Sequence, residues 1–593
     1  MEHQVTWNLS EMFPSPTDPS VERAMREASA LADAFEKAHH GKIQTYPPEA
    51  LLMCIRQLEA VQAKLQDIGL YADLAFSADM TKLDNQVLND KVSKLEAQLG
   101  KQLAFFPLEL GALLKRKPRL PQESALGEYR HMLERAKRRV KHQLSEAEEQ
   151  LIIEKDQFGV DAWEELQSKW LNTRQFTVTV EGRVKTLSYG EANGLLPHPD
   201  RVTRESANRA IYGALGRDGE IFASALRSIC NDWVTVSQRR KHASPMEASL
   251  ISNDIDQAVV DSLLRTMEAN AGLYRRYLQL KAKLMHLPKL GCHDIVAPLP
   301  DAAALRFGFE EAKQLALRAY SRFDEDYAGA IRDVFAKRHV DASPRFGKRN
   351  GAYCWGWYSG KSAFILQSFS GSLNDVFTLA HELGHATHDY YAQRSQSLMN
   401  VSIPSVVAET ASIFGELLLT DLLLAEAKAD AERRAVLCLV LDEAGMTAFQ
   451  VTARVWFEQS LYAAISRGEF LDYKTICGLW TGARDRIYGD AVSWFPEMEA
   501  EWTMKQHYYM ANYRFYNYPY VYAQLFVYAL YERYLQEGRA FVPKLVKALS
   551  AGGSVSPVEI GRLVDLDVAA RDFWSLGMKR FESFLVDLEG VMG

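Results

Sequence analysis

Three side chains in one short stretch, Leu379-Ala380-His381-Glu382-Leu383-Gly384-His385-Ala386-Thr387-His388, are of types that together hold and use a metal ion. His381 and His385 stand four residues apart, so on a helix both imidazoles leave the same face, one turn apart. Two neutral imidazoles so placed can share one ion, and the usual ion is zinc. Glu382 follows the first ligand directly and points off the ligand axis. From there it reaches a metal-bound water rather than the metal, the position of a metallopeptidase general base.

Such a site needs a third protein ligand and an open position for water. Downstream, Ser405-Val406-Val407-Ala408-Glu409-Thr410-Ala411-Ser412-Ile413-Phe414-Gly415-Glu416 is apolar except for a few positions. Glu409, Ser412 and Glu416 share one helical face at i, i+3 and i+7. Carboxylates on an apolar helix are costly unless paired or metal-bound. Glu409 is therefore the expected third ligand. Glu416 is expected to hold an imidazole N–H in place, or to be a structural carboxylate only. His388 lies one turn past His385 and is expected to be packed or to support the site.

The elements that must carry these residues are helical. Val376, Phe377, Leu379, Ala380, Leu383 and Ala386 give the stretch an apolar face, as a buried helix requires. Ser372 or Asn374 is the candidate N-cap, and Pro404 with Ser405 opens the Glu409 helix. Ser362-Ala363-Phe364-Ile365-Leu366-Gln367-Ser368-Phe369 reads as a strand entering the metal helix. It is either an edge strand that pairs with a peptide backbone or a plain core strand. Ahead of it, residues 341–360 hold Gly347, Gly351, Gly356 and Gly360 with Tyr353, Trp355, Trp357 and Tyr358, and read as irregular backbone.

The rest of the chain is ordinary in composition. It has 593 residues, 47 % hydrophobic and 24 % charged, enough for two lobes and a large core. A net charge of −7 argues against a nucleic-acid partner. Six scattered cysteines without a C-x-x-C point to reduced thiols and a cytoplasmic setting. Neither a signal peptide nor an apolar stretch long enough to span a membrane is recognised, so no membrane partner is expected.

Residues 1 to about 20 read as an extended arm, and helical periodicity runs from 21 to about 116. Residues 129–150 read as one charged helix, a solvated surface in which Lys137, Arg138, Arg139 and Lys141 precede Glu146, Glu148 and Glu149. Residues 176–187 read as a β-hairpin turning at Glu181-Gly182, the seam between an N-terminal lobe and a catalytic part. Helical patterns then run to about 337. Near the C-terminus, tyrosines crowd behind His507, through Tyr508, Tyr509, Tyr513, Phe515, Tyr516, Tyr518, Tyr520 and Tyr522. A buried aromatic cluster is the simple reading of any one ring. Taken together with His507, they read as neutral donors for an oxyanion.

These stretches together resemble peptidase family M3, specifically its oligoendopeptidase F branch. The carriers are Gly351-Ala352-Tyr353, the stretch 378–388, Ala408-Glu409-Thr410-Ala411-Ser412 with Glu416, His507-Tyr508-Tyr509, and Phe515-Tyr516-Asn517-Tyr518-Pro519-Tyr520. Leu549-Ser550-Ala551-Gly552-Gly553-Ser554, Asp565-Leu566-Asp567 and Phe573-Trp574 add to them. The resemblance implies a mainly α-helical protein of two lobes enclosing a deep substrate channel, with a small β-sheet beside the HExxH helix (a gluzincin-type peptidase). It divides the chain into an N-terminal helical lobe, 1–205, with the family's N-terminal-like segment at about 110–190, and a catalytic domain, 206–593. It implies a zinc endopeptidase of short unstructured peptides with one zinc ion per chain, held by His381, His385 and Glu409, and with Glu382 as base. His507 and one of Tyr520 and Tyr522 carry over as oxyanion donors, because Gln524 stands where the family often has a further tyrosine. The rival readings are an exopeptidase releasing C-terminal dipeptides, for which Arg514 is a candidate anchor, and a non-catalytic peptide-binding protein.

Overall fold

The computed structural model describes residues 4–299, 305–511, 513–570 and 572–592. It is 71 % helical, with three small sheets among the described residues. The chain forms two compact units, each gathered from three segments. The first comprises Met1–Lys141, Arg306–Leu422 and Arg533–Asp567; the second comprises His142–Leu305, Leu423–Glu532 and Val568–Gly593. The expected division at 205 is drawn along the sequence, whereas these units are drawn by contact. We keep the former as a proposal.

In the first unit, the helices Pro19–His39, Pro48–Ala78, Leu83–Leu103 and Phe105–Arg116 bury apolar stripes in a shared core that includes Phe35, Leu51, Ile55, Leu88, Val92 and Leu110. Of the expected extended arm, residues 1–3 lie outside the described residues. The remainder is tied down: Val5 donates its N–H to Ser343 Oγ at 2.8 Å and its carbonyl accepts from Ala342 N at 3.0 Å.

A three-stranded sheet follows in the order Val340–Asp341, Ser362–Leu366, Tyr353–Trp357. Here one open expectation is decided, in favour of a core strand, and one is corrected. Ser362–Leu366 is the central strand, wholly buried, parallel to Val340–Asp341 and antiparallel to Tyr353–Trp357. It has no free edge. The Gly-and-aromatic segment, expected to be irregular, supplies the edge strand instead. Its tyrosine and tryptophans suit a half-exposed pleated surface. Asp341 anchors the loop before that strand: buried, it takes Arg345 Nη1 at 2.6 Å and Nη2 at 2.7 Å, and Lys348 Nζ at 2.8 Å.

The helix Leu373–Ser395 begins at Ser372 with a reciprocal cap. Asp375 N donates to Ser372 Oγ at 3.1 Å, and Ser372 N donates to Asp375 Oδ2 at 3.0 Å. The Glu409 helix is interrupted. A single turn, Ser405–Ala408, ends at Glu409, and a new helix, Thr410–Glu426, begins after it. Thr410 Oγ1 donates to Val407 O at 2.6 Å and fastens that break.

In the second unit the hairpin Gln175–Val180 and Arg183–Ser188 is as expected, with Glu181 and Gly182 both at positive φ in a two-residue turn. The single charged helix expected over 129–150 is two helices, Arg130–Val140 in the first unit and Glu146–Phe158 in the second. Ser145 starts the second with a capping box to Glu148, which is why the run breaks there. The run Asp430–Ser466 corrects the expectation about apolar length. It is long and apolar enough to cross a membrane, yet 72 % of its most apolar window is buried inside the protein. A core helix that is apolar all round has the same composition as a spanning one. All six cysteines are free thiols.

Candidate metal centre

The first unit brings His381, Glu382, His385, Glu409 and Glu416 together from two helices that cross closely. Gly384 and Gly415 make that approach possible. A Cβ at Gly384 would overlap the backbone of Ala411 and Ser412, and one at Gly415 would overlap the hydroxyl oxygen of Tyr320. Tyr320 Oη donates to Ala380 O at 2.8 Å, so the ligand-bearing turn is also held from its outer side.

His381 Nε2 and His385 Nε2 lie 3.1 Å apart, and each is 3.3 Å from Glu409 Oε2. Donors on a tetrahedral ion with bonds of about 2.1 Å are spaced about 3.4 Å apart, so this near-equilateral triangle suits one small divalent ion. Ser412 Oγ donates to Glu409 Oε2 at 2.7 Å, and Glu416 Oε1 is 2.5 Å from His381 Nδ1. A carboxylate there receives the Nδ1 proton and leaves Nε2 with its lone pair toward the triangle. Burial disfavours charge on His381, but hydrogen bonds to Glu409 and Glu416 outweigh it and hold the imidazole well above its usual value. Burial likewise opposes charge on Glu409, and the hydrogen bonds from His381 and His385 hold its carboxyl well below the usual range. The pocket thus favours a cation where the three donors meet.

Glu382 is 6 % exposed and its Oε2 has no hydrogen-bond partner. Burial raises its pKa, with His381 and His385 pulling the other way. It lines a cavity of about 620 Å³ within the first unit, together with His381, His385 and the edge-strand residues Cys354, Trp355 and Gly356. His388 is packed as expected, its pKa pushed down to about 4 by burial. Sequence reasoning missed Asp389. Burial lifts its carboxyl to about 7, and a Cβ at Gly356 would stand 2.7 Å from its Oδ2. Its place four residues after His385 was the available signal.

The remaining candidates belong to the second unit. His507 is half-buried and stacks on Tyr516 with ring centroids 4.2 Å apart. Tyr520 is 41 % exposed, on the helix Tyr518–Glu537. Tyr522, on the same helix, is 0 % exposed and packs edge-on against Trp574. A hydroxyl so enclosed does not meet a substrate, and of the two tyrosines only Tyr520 is exposed. Arg514 is 4 % exposed and gives Nη1 to Tyr508 O at 2.7 Å. It is packed inside its unit, not presented as an anchor. Beside it, Glu458 accepts Phe515 N at 2.7 Å and fixes the start of the tyrosine-rich turn.

A family model described as peptidase family M3 matches residues 195–579, and one described as oligopeptidase F matches residues 119–176. The oligopeptidase PepF of Bacillus subtilis is 27 % identical over 99 % of this chain and 87 % of its own length. An oligoendopeptidase F homologue of Lactococcus lactis is 26 % identical over 99 % and 97 %. Among solved structures, oligoendopeptidase-F from Enterococcus faecium superposes with a TM-score of 0.70 at 25 % identity, over 97 % of this chain and 99 % of that one. A structure from Chlamydophila abortus reaches a TM-score of 0.87 at 22 % identity, over 99 % and 98 %, a likeness of fold.

Proposed function

The chain belongs to peptidase family M3, and from that premise we propose that it is a zinc-dependent endopeptidase cutting internal bonds of short, unstructured peptides, with Glu382 as general base. Membership makes it a metallopeptidase acting on oligopeptides. The observation that carries the finer reading is the donor triangle of His381, His385 and Glu409 beside the unpartnered Glu382 Oε2. Two imidazoles and one carboxylate at this spacing fit one zinc ion and leave a ligand position open.

When bound, the ion supplies Lewis acidity, lowering the pKa of water and polarising the scissile carbonyl. The protein's own groups do the rest. Glu416 keeps His381 in the tautomer that presents Nε2 to the triangle. Glu382 takes a proton from the attacking water and returns it to the leaving amine. Its burial makes it a better base than a solvated carboxylate. His507 and Tyr520 are assigned as donors to the negative oxygen that develops on the substrate. The edge strand Tyr353–Trp357 lines the cavity with backbone as well as side chains, which suits recognition of extended peptides with little sequence demand.

The burial of Arg514 supports internal cleavage over carboxyl-terminal dipeptide release, which would need an exposed cationic anchor. The intact Glu382 favours catalysis over simple peptide binding. Six free thiols agree with a cytoplasmic setting.

The test is steady-state turnover of a blocked peptide with metal content measured on the same samples. Glu382→Gln should lower kcat by about 10²–10⁴-fold with metal retained. His507→Ala and Tyr520→Phe should each lower kcat more than they raise KM. Near-normal turnover by Glu382→Gln would remove the assignment of the base.

A further inference from the structure

The helix Leu373–Ser395 carries two more polar side chains past its metal ligands, and the mechanism above uses neither. Asp389 lies one turn beyond His385, and Gln393 one turn beyond Asp389, so both share the ligand face. Both line the cavity of about 620 Å³ in the first unit that also holds His381, Glu382 and His385. Asp389 sits deep in the unit but is not closed over, and part of its surface stays open. Gln393 is 2 % exposed.

The edge strand Tyr353–Trp357 makes room for this pair. A Cβ at Gly356 would stand 2.7 Å from Asp389 Oδ2 and 2.7 Å from Gln393 Nε2. Any other residue at 356 would push its side chain between them and the strand. The strand that suits an extended peptide therefore lies against both polar groups.

The pair is short of donors. The Gln393 amide gives a hydrogen bond to Asp389, while Gln393 Oε1 is buried without a partner. Among the described residues no lysine or arginine lines the cavity, whereas Glu382 and Asp389 both do. Arg394, next along the chain, is engaged elsewhere: it lies 3.5 Å over the Tyr390 ring, with Nη2 4.0 Å from Asp333. Lys361 sits over the Tyr358 ring at 3.3 Å. Burial lifts the Asp389 carboxyl to about 7, and His385 and the bond from Gln393 oppose this only in part. A carboxylate so placed is unfavourable until a cation joins it. An ammonium or guanidinium brings both the charge and several N–H donors, and has no acceptor of its own.

We propose that Asp389 and Gln393 form a subsite for a cationic group of the peptide, either a lysine or arginine side chain or the free amino terminus. This rests on the peptidase reading above and names a preference within it. One to two helical turns past His385 is about 6–12 Å, and an extended peptide advances about 3.4 Å per residue, so the cation lies about two to four residues from the bond cut. Backbone pairing with the edge strand accepts many sequences, and the carboxylate ranks them by charge.

The experiment uses the full, zinc-loaded Glu382→Gln chain, which is expected to hold peptide without cutting it. Binding of short peptides with a dye at the carboxyl terminus is followed by fluorescence anisotropy. The peptides come in pairs that differ only by acetylation of one lysine side chain or of the amino terminus, with the lysine placed at each position in turn. At one position the free amine should bind about 10-fold or more tightly than its acetylated twin. Adding Asp389→Asn should bring the two affinities together, and adding Gln393→Leu should narrow the gap. A gap on acetylating lysine assigns the side chain, and a gap on acetylating the terminus assigns the α-ammonium; either supports the subsite. The readout is a ratio, so a general loss of affinity cancels. Equal affinities in the parent chain, or a gap that survives Asp389→Asn, overturn the proposal. So does an equal loss for every peptide together with weaker zinc binding, which would make Asp389 a support for His385. Should Asp389→Asn not fold, Gln393→Leu decides by the same ratio. Failure of the catalytic reading shows separately, as peptides that bind Glu382→Gln but are left whole by the wild type.

Discussion

In the proposed reading, Glu416 sets the tautomer of a metal ligand from behind it. It fixes the proton of His381 on Nδ1 and so frees Nε2. Glu416→Ala should weaken metal affinity by about 10- to 100-fold while His385 and Glu409 stay in place, measured by competition with a chromophoric chelator. Unchanged affinity would make Glu416 a merely structural carboxylate. Glu458, in the other unit, tests burial of a charge directly. Its carboxyl is raised to about 7 by burial, against bonds from Phe515 N and Asn517. The folded state holds this proton more tightly than the unfolded chain does. Glu458 therefore lowers stability as pH rises from its ordinary value of 4.5 through about 7, a loss of up to about 3 kcal/mol. Urea unfolding across that range should show a flatter pH dependence for Glu458→Gln than for wild type, and equal slopes would contradict the shift. At this scale His381, His385 and Glu382 were legible in the sequence because their geometry is local, one turn of one helix. Glu409 and Glu416 were legible because a carboxylate on an apolar face demands a partner. Tyr520 and Tyr522 could not be told apart, since which face of their helix meets Trp574 depends on residues far along the chain.

The crossing of the two ligand helices is the element on which the site depends, and it is set by what is missing from Gly384 and Gly415. Gly384→Ala pushes a methyl into the backbone of Ala411 and Ser412, which cannot give way as a flexible side chain would. It should cost about 1–3 kcal/mol in denaturant unfolding and lower metal content, because the Glu409 segment is displaced from both imidazoles. Wild-type stability and metal content would show that the helices need no such contact. The capped start of the metal helix was readable, since Ser372 and Asp375 carry the cap in their spacing. Of the sheet only the strand Ser362–Leu366 was readable, and its place in the order was not. Ser362–Leu366 and Tyr353–Trp357 are both short and apolar, and register and neighbours decide which one is central. The glycines around the second strand disguised it, although Gly356 is where Asp389 and Gln393 approach the backbone.

Across the whole molecule, sequence order and spatial order part company. Each compact unit collects three stretches, so the HExxH helix shares a unit with the first 141 residues and with Arg533–Asp567. Linear patterning marks helices and turns well, but which segments gather into one core is fixed by long-range contacts. The break at Ser145 has a local cause instead, its capping box with Glu148 inside what read as one charged helix. The likeness to family M3 spans nearly the whole chain, which ties the small metal centre to a fold of this size.

The measurement that bears most directly on the central claim is a mass-spectrometric digest of blocked and free peptides of about 5 to 20 residues, extended in solution. Wild type, wild type with a chelator, and Glu382→Gln are run side by side. Internal cuts in blocked peptides by the wild type alone, restored to the chelated enzyme by zinc, are the predicted result. Cuts that persist with the chelator or with Glu382→Gln, or release of terminal dipeptides only, would contradict it.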